Sequence, residues 1–232
     1  MGYEFDWGLP FRRPYVDWLA SGLYVTAVLT LVSTVGSLLL GVLAAVGRLS
    51  NIRILRAASL VFIEVFRGVP TLFWILFFCF VMPTLLGERI MLDLNAWSGL
   101  PLTAALAGLT LSNAAHVAEI VRAGIQALPR AQAIAGLSLG LRPSRVWLSI
   151  LLPQALKLSL PALGPRMVHN FHNTSLALVV SVAELTWQTQ QIETTTFRGF
   201  EAITIASLAF VALSLLMTSG FRLLERRSAR WS

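Results

Sequence analysis

Charge is scarce in this chain. Of its 232 residues only 12% are Asp, Glu, Lys or Arg, whereas soluble domains carry about 25%. There is a single lysine, Lys157, in the run LPQALKLSLP. No G-x-x-x-x-G-K-[ST] phosphate loop is present, so the chain is not its own ATPase. The single cysteine, Cys79, rules out an internal disulfide or a cysteine cluster. Set in an apolar run, it reads as a small buried or lipid-facing hydrophobe. The three histidines are scattered and imply no metal site. No nucleophile–base pair stands out, which argues against an intramembrane enzyme. No internal repeat is visible either, and gradient-driven carriers usually carry repeats within one larger chain.

What the chain has in abundance is apolar surface. It is 56% hydrophobic, with a mean hydropathy of +0.73. The thirty residues from Trp18 to Gly47 contain no charge, more than the roughly 20 that span a bilayer as a helix. The run is too long for a secretory signal, and both acids and arginines precede it. The net charge of +7 does not point to nucleic acid, because the arginines sit at segment ends without interleaved stacking aromatics.

Five hydrophobic spans are expected, over about 19–47, 57–86, 101–121, 146–180 and 201–221. The second is interrupted by RGVP at Arg67–Pro70, and the fourth by Pro153, Pro161 and Pro165. Proline frees backbone groups, so these breaks should pack on protein or line a cavity. Trp7, Trp18, Trp97 and Trp231 suit interfacial aromatic belts.

Basic residues set the orientation. The first connection holds Arg48, Arg53 and Arg56 and no acid. Residues 121–159 hold Arg122, Arg130, Arg142, Arg145 and Lys157, again with no acid. The tail sets Arg222, Arg226, Arg227 and Arg230 against Glu225. Segment 87–100 sets Arg89 against Glu88 and Asp93, and segment 166–200 holds two arginines and two glutamates. Basic connections stay cytoplasmic, so the N-terminus is expected outside and the C-terminus in the cytoplasm.

The cytoplasmic stretch PRAQAIAGLSLGLRPSRVWLSILLPQAL, residues 129–156, is acid-free and rich in small residues. A plain connector is the bland account. A docking element is the sharper one, because Ala, Gly and Ser on an exposed helical face let another surface approach closely.

This stretch resembles the cytoplasmic loop of permease subunits in ATP-binding-cassette importers. That loop runs Glu-Ala-Ala, three residues, Gly, then about nine residues to Ile/Leu-Leu-Pro. Ala135, Gly140, Leu152 and Pro153 fit, as do Gln132, Gln154-Ala155 and EIVRAGIQALP at 119–129. Ile134 stands where the family has Glu, and Gly136 where it has the second Ala. Stretches 22–50, 63–81 and 171–186 are similar to the branch that carries polar amino acids, so the likeness covers nearly the whole chain. It implies an all-α membrane protein with the type I importer permease fold, five transmembrane helices and a single transmembrane domain over 1–232. Its coupling loop lies at about 129–145, with Gln132, Ile134, Ala135, Gly136, Gly140 and Arg142 meeting the ATPase. It implies a multi-pass protein of the bacterial cytoplasmic membrane among membrane lipids. The partners are two ABC ATPase subunits, a second permease (identical or homologous) and an extracytoplasmic amino-acid-binding protein. This subunit binds no cofactor directly, since ATP and Mg belong to the ATPase, and it is not an enzyme.

The pathway residues are chosen by chemistry. Glu64 and Arg67, three apart in IEVFRGVP, share a helical face and read as an internal ion pair or as substrate contacts. His116 and Glu119 have the same spacing and read as a structural pair. RMVHNFHNTSLA, 166–177, offers Asn170, His172, Asn173, Thr174 and Ser175. These supply the donors and acceptors an α-amino acid needs, or else bond between helices. The family's matching place reads Lys, then Asn or Asp, then Ser/Thr-Ser-Leu. A neutral Asn173 removes the attraction an Asp would offer a cationic side chain, which favours glutamate or aspartate. Neutral or basic amino acids (glutamine, histidine, arginine) are the alternative, and outside this class a gradient-driven carrier or a channel. Segment 183–198 should be an outside interfacial helix, serving the binding protein or lidding the pore edge.

Overall fold

The computed structural model describes residues 4–86, 88–96 and 98–229; Trp97, Arg230 and Trp231 lie outside the described residues. All regular structure among the described residues is helical. A short 3-10 turn, Leu9–Phe11, leads into α1 (Tyr15–Arg48). There follow α2 (Arg53–Gly68), α3 (Thr71–Leu76), a π-helical stretch (Phe77–Val81), α4 (Met82–Leu85), α5 (Glu88–Ala96) and α6 (Leu100–Gln126). Then come α7 (Arg130–Ser138), α8 (Pro143–Arg145), a second π stretch (Val146–Leu151) and α9 (Leu152–His172). A 3-10 segment (Asn173–Val180), α10 (Leu185–Thr196) and α11 (Gly199–Ala229) complete the chain.

Four helical runs are long and apolar enough to cross a membrane: Tyr15–Arg48, Leu100–Gln126, Pro143–Val180 and Gly199–Arg227. The interrupted pair Arg53–Gly68 and Thr71–Leu85 makes a fifth if it is one span. The helices overrun the hydropathy boundaries because helix geometry continues where lipid contact stops. Asp17 in the first turn of α1 and Arg48 in its last complement the helix dipole while ending the apolar run.

Both π stretches lie just before a proline, whereas Pro161 and Pro165, expected to interrupt the fourth span, sit inside an unbroken α9. Pro83 and Pro153 each follow a π stretch by two residues. A proline cannot bond to the carbonyl four residues back, and wider i→i+5 turns re-satisfy such carbonyls. Gln154 helps as well: its Nε2 donates to the Ile150 carbonyl at 2.8 Å.

The described residues group into two compact units, and α1, α6, α9 and α11 each contribute to both. In the first (Met1–Val35, Val69–Thr110, His169–Leu216), Leu29, Ile75, Ala105, Leu109, Ala177 and Val180 form the core. A smaller cluster joins Leu9, Ile192 and Ala202. In the second (Gly36–Gly68, Leu111–Val168, Met217–Ser232), the core is Ala45, Ile63, Val117, Val121, Ala155, Leu163 and Met167. Helices in lipid gain little from hydrophobicity and depend on close packing at small residues. Gly41 is such a point, since a Cβ there would stand 2.5 Å from Val117 Cγ1 and 2.8 Å from the Ala114 carbonyl oxygen. Large aliphatics such as Leu31, Leu39 and Leu43 point outward instead, as lipid-facing residues do.

Gly41→Leu is expected to destabilise the protein by about 1–3 kcal/mol through overpacking. Gly220→Leu, at a position with nothing within 4 Å, should be neutral. Thermal unfolding of the two purified variants in detergent checks this.

Candidate functional site

Helix α7 is a nine-residue knob whose ends are set by its sequence. Pro129 stands at its N-cap. At the other end Gly140 adopts φ +78°. Gly140 N–H bonds to the Leu137 carbonyl (3.0 Å) and Leu141 N–H to the Gly136 carbonyl (3.2 Å). This pair of bonds is the Schellman motif, which calls for a left-handed residue and so for glycine. A Cβ at Gly140 would meet nothing within 4 Å; backbone conformation, not crowding within the chain, requires glycine here.

Packing corrects the expected face of this knob. Gly136 is buried, and a Cβ on it would approach Val146 Cγ2 to 2.9 Å and Ile150 Cδ1 to 3.2 Å. Its smallness serves contact inside the chain. The outward face carries Ala131, Ala135 and Ser138, but also Ile134 (64% exposed), Leu137 (49%) and Leu139 (81%). Arg142 is exposed and caps α8, while Gln132 is half-buried. Periodicity cannot say which side of so short a helix faces inward, because the neighbouring π stretch decides it.

The polar residues at the end of α9 and just beyond it are brought together but mostly bonded within the chain. Asn170, 1% exposed, donates from Nδ2 to Ser33 Oγ at 2.8 Å and Thr34 Oγ1 at 3.4 Å. Its Oδ1 is buried without a hydrogen-bond partner among the described residues. His172 Nε2 lies 2.7 Å from Ser214 Oγ. Thr174 and Ser175 donate to the Phe171 and His172 carbonyls at 2.7 and 2.8 Å. Asn173 is half-buried. Glu64 and Arg67 are both exposed on α2, and no ion pair joins them among the described residues. Glu119 is held by Arg122, with Nη2 2.7 Å from Oε2 and Nε 3.1 Å from Oε1; Arg122 also reaches Gln126 at 2.7 Å.

Three features escape sequence reasoning. Asn113 donates to Ser37 Oγ at 2.7 Å and accepts from Arg166 Nε at 2.6 Å. Glu201, fully buried, accepts from the Asp6 N–H at 3.0 Å and pairs with Arg198 at 3.1 Å. Arg198 also donates to the Glu4 carbonyl at 2.9 Å, tying the N-terminal segment to the start of α11. Glu184, also fully buried, caps α10 by accepting from the Trp187 N–H at 2.8 Å; its Oε2 has no hydrogen-bond partner among the described residues. The signal available for Glu184 was a helix-start pattern, an acid just before LTWQ. It was legible as a cap, but not as buried. Helix α10 packs on the protein with Leu185, Gln188, Thr189 and Ile192 buried. Gln188 reaches Ser21 at 3.3 Å, and Leu185 N–H reaches Thr26 Oγ1 at 3.1 Å.

A polytopic helical membrane protein with a short, exposed, glycine-capped helix on an acid-free connection is the class these features define. Residues 37–230 match the family described as binding-protein-dependent transport system inner membrane component, and the chain belongs to that family. It is 32% identical over 224 residues to the glutamine transport system permease protein of Escherichia coli K12, covering 97% of this chain and 98% of that protein. It is 31% identical over 227 residues to the glutamate/aspartate import permease of Escherichia coli O6:H1, covering 98% of this chain and 100% of that one. Among solved structures, a chain of an amino acid ABC transporter crystallised with histidines superposes with a TM-score of 0.83 at 29% identity, covering 97% of this chain and 100% of that one.

Burial raises the Glu184 pKa above its ordinary 4.5, and the Thr186 and Trp187 N–H groups at the helix start oppose the shift. A raised folded-state value means that the folded protein holds this proton more tightly than the unfolded chain. The contribution to stability therefore falls as pH rises above 4.5. Glu184→Gln, which keeps a capping oxygen, should unfold at a higher temperature than wild type at pH 8, with the gap closing as pH falls toward 4.5. Glu184→Ala should lose about 1 kcal/mol with the cap. Thermal melts across pH check both.

Proposed function

We propose that this chain is the permease subunit of an ATP-driven importer of polar amino acids in the bacterial cytoplasmic membrane. It has its N-terminus outside, its C-terminus in the cytoplasm and a single transmembrane domain over 1–232. The observation that carries the proposal is α7: an exposed aliphatic knob, fixed by the Schellman turn at Gly140, on a connection without one acidic residue. Isolated leucines on a water-facing helix gain nothing, whereas a partner surface would bury Ile134, Leu137 and Leu139. That partner is a separate ABC ATPase holding ATP and Mg. Its closure pushes α7 and shifts the pathway between outward and inward access. Gln132, Ala135 and Arg142 border the contact. Ile134 makes it apolar where the family uses a carboxylate, which favours pairing with a second, homologous permease that keeps the Glu. An extracytoplasmic binding protein supplies the substrate.

Glutamate and aspartate are the substrates placed first. The half-buried Asn173 is neutral, and with Asn170, His172, Thr174, Ser175, Glu64 and Arg67 it makes the candidate pathway set. The relatives' names support amino-acid transport without deciding between glutamine and glutamate/aspartate.

Gly140→Val places a β-branched residue at φ +78°, a conformation that costs L-residues about 1–2 kcal/mol or more. Together with Leu139→Asp it should leave insertion intact while cutting substrate-stimulated ATP hydrolysis and uptake by about tenfold or more, measured in vesicles with the ATPase and binding protein. Full coupled uptake in both variants would contradict the docking role. ATPase stimulation by arginine or histidine alone would overturn the glutamate/aspartate assignment.

A further inference from the structure

We propose that Arg166 is a carboxylate-binding residue of the translocation pathway, its guanidinium held at mid-span by Asn113 and Ser37 to receive a carboxylate of the amino acid carried. This rests on the amino-acid import reading, but not on the choice of glutamate or aspartate.

Depth comes first. Helix α6 is 27 residues long, so it rises about 40 Å, against a hydrocarbon core of about 30 Å. Asn113 stands thirteen residues from each end of it. Arg166 Nε donates to Asn113 Oδ1 at 2.6 Å, which places the guanidinium near the centre of a spanning helix, where an unneutralised charge is costly. Arginine remains charged at any working pH, so it needs water or an anion. Among the described residues no carboxylate lies within 4 Å of it, and the Asn113 bond is the one hydrogen bond its side chain makes. The side chain is partly exposed rather than sealed.

Its support is built with care. Asn113 is 1% exposed and Ser37 is fully buried. Asn113 Nδ2 donates to Ser37 Oγ at 2.7 Å and lies 3.7 Å from Met167 Sδ. Because that amide is committed to donating on one side, its oxygen faces the arginine. Two buried polar residues thus fix one edge of the guanidinium and leave the terminal nitrogens, the fork that grips a carboxylate in two parallel bonds, unoccupied. A lysine at this position would offer a point charge without that geometry. Every α-amino acid carries a carboxylate, so the site suits the whole class, and an acidic side chain would be a second candidate for it.

The single native cysteine, buried Cys79, makes the test clean. Arg166→Cys is introduced with Cys79→Ala, and the chain is assembled with its ATPase and permease partner in vesicles. An anionic, water-soluble methanethiosulfonate should label position 166, and L-glutamate, L-aspartate, L-glutamine, L-histidine or L-arginine, each supplied well above the KM raised by loss of the arginine, should slow that labelling if it is carried. Absence of labelling overturns the proposal, because the guanidinium then faces lipid or a protein surface. Labelling that none of the five slows overturns it too. In uptake assays Arg166→Gln should raise KM by about ten- to a hundredfold, and Arg166→Lys should recover part of the loss. A merely structural arginine would instead lower the amount of assembled complex at unchanged KM, which contradicts the proposal. Protection by L-glutamine but not by L-glutamate would sink the acidic-substrate assignment while Arg166 stood on the α-carboxylate.

Discussion

In hydrocarbon a polar group has no water to turn to, and this constraint shapes every part of the chain. The hydroxyls obey it locally. Thr30 donates to the Thr26 carbonyl, Ser159 to Ala155, Thr204 to Phe200 and Ser214 to Phe210, each at 2.7–2.8 Å and four residues back. Pro83 and Pro153 each follow a π stretch, while Pro161 and Pro165 are carried inside α9, and the Gln154 amide adds a bond to the Ile150 carbonyl. Glu119 and Arg122 obey it by pairing. Arg166, bonded by Asn113 and otherwise unneutralised among the described residues, is one place where the constraint is relaxed, and the buried Asn170 Oδ1 is another.

The same constraint inverts outside the bilayer. Leu39 and Leu43 on α1 are exposed at no cost, because lipid is their solvent. Leu139 on α7 is exposed as well, yet it sits on a connection bordered by Arg130, Arg142 and Arg145 and belongs, in the proposed topology, to water. An aliphatic knob there is economical only if something covers it. Two glycines divide the work: Gly136 lets α7 press onto Val146, and Gly140 ends the helix in a left-handed turn.

Much of this was legible in the amino-acid order. The apolar runs, the break at Arg67–Pro70 and a short helix after Pro129 follow from hydropathy and from proline and glycine chemistry, whereas at Pro153 the helix continues through a π stretch instead of breaking. What stayed hidden depends on residues far apart. Asn113 and Arg166 are 53 positions from each other, and Asn170 and Ser33 are 137 apart, so no local pattern announces either bond. Glu64 and Arg67 show the reverse failure. Their spacing places them on one helical face, yet both are exposed and no ion pair joins them among the described residues. The small residues of 131–138 were assigned to a partner from composition, when one of them, Gly136, is consumed by packing within the chain.

The central claim is that α7 receives force from a separate nucleotide-driven subunit. Its most direct test is a photo-crosslinking amino acid placed at Leu139 in the intact cell membrane, followed by identification of the adduct. The account predicts an adduct with the ABC ATPase whose yield changes between ATP-bound and nucleotide-free states. An adduct with the extracytoplasmic binding protein or with lipid alone would contradict it.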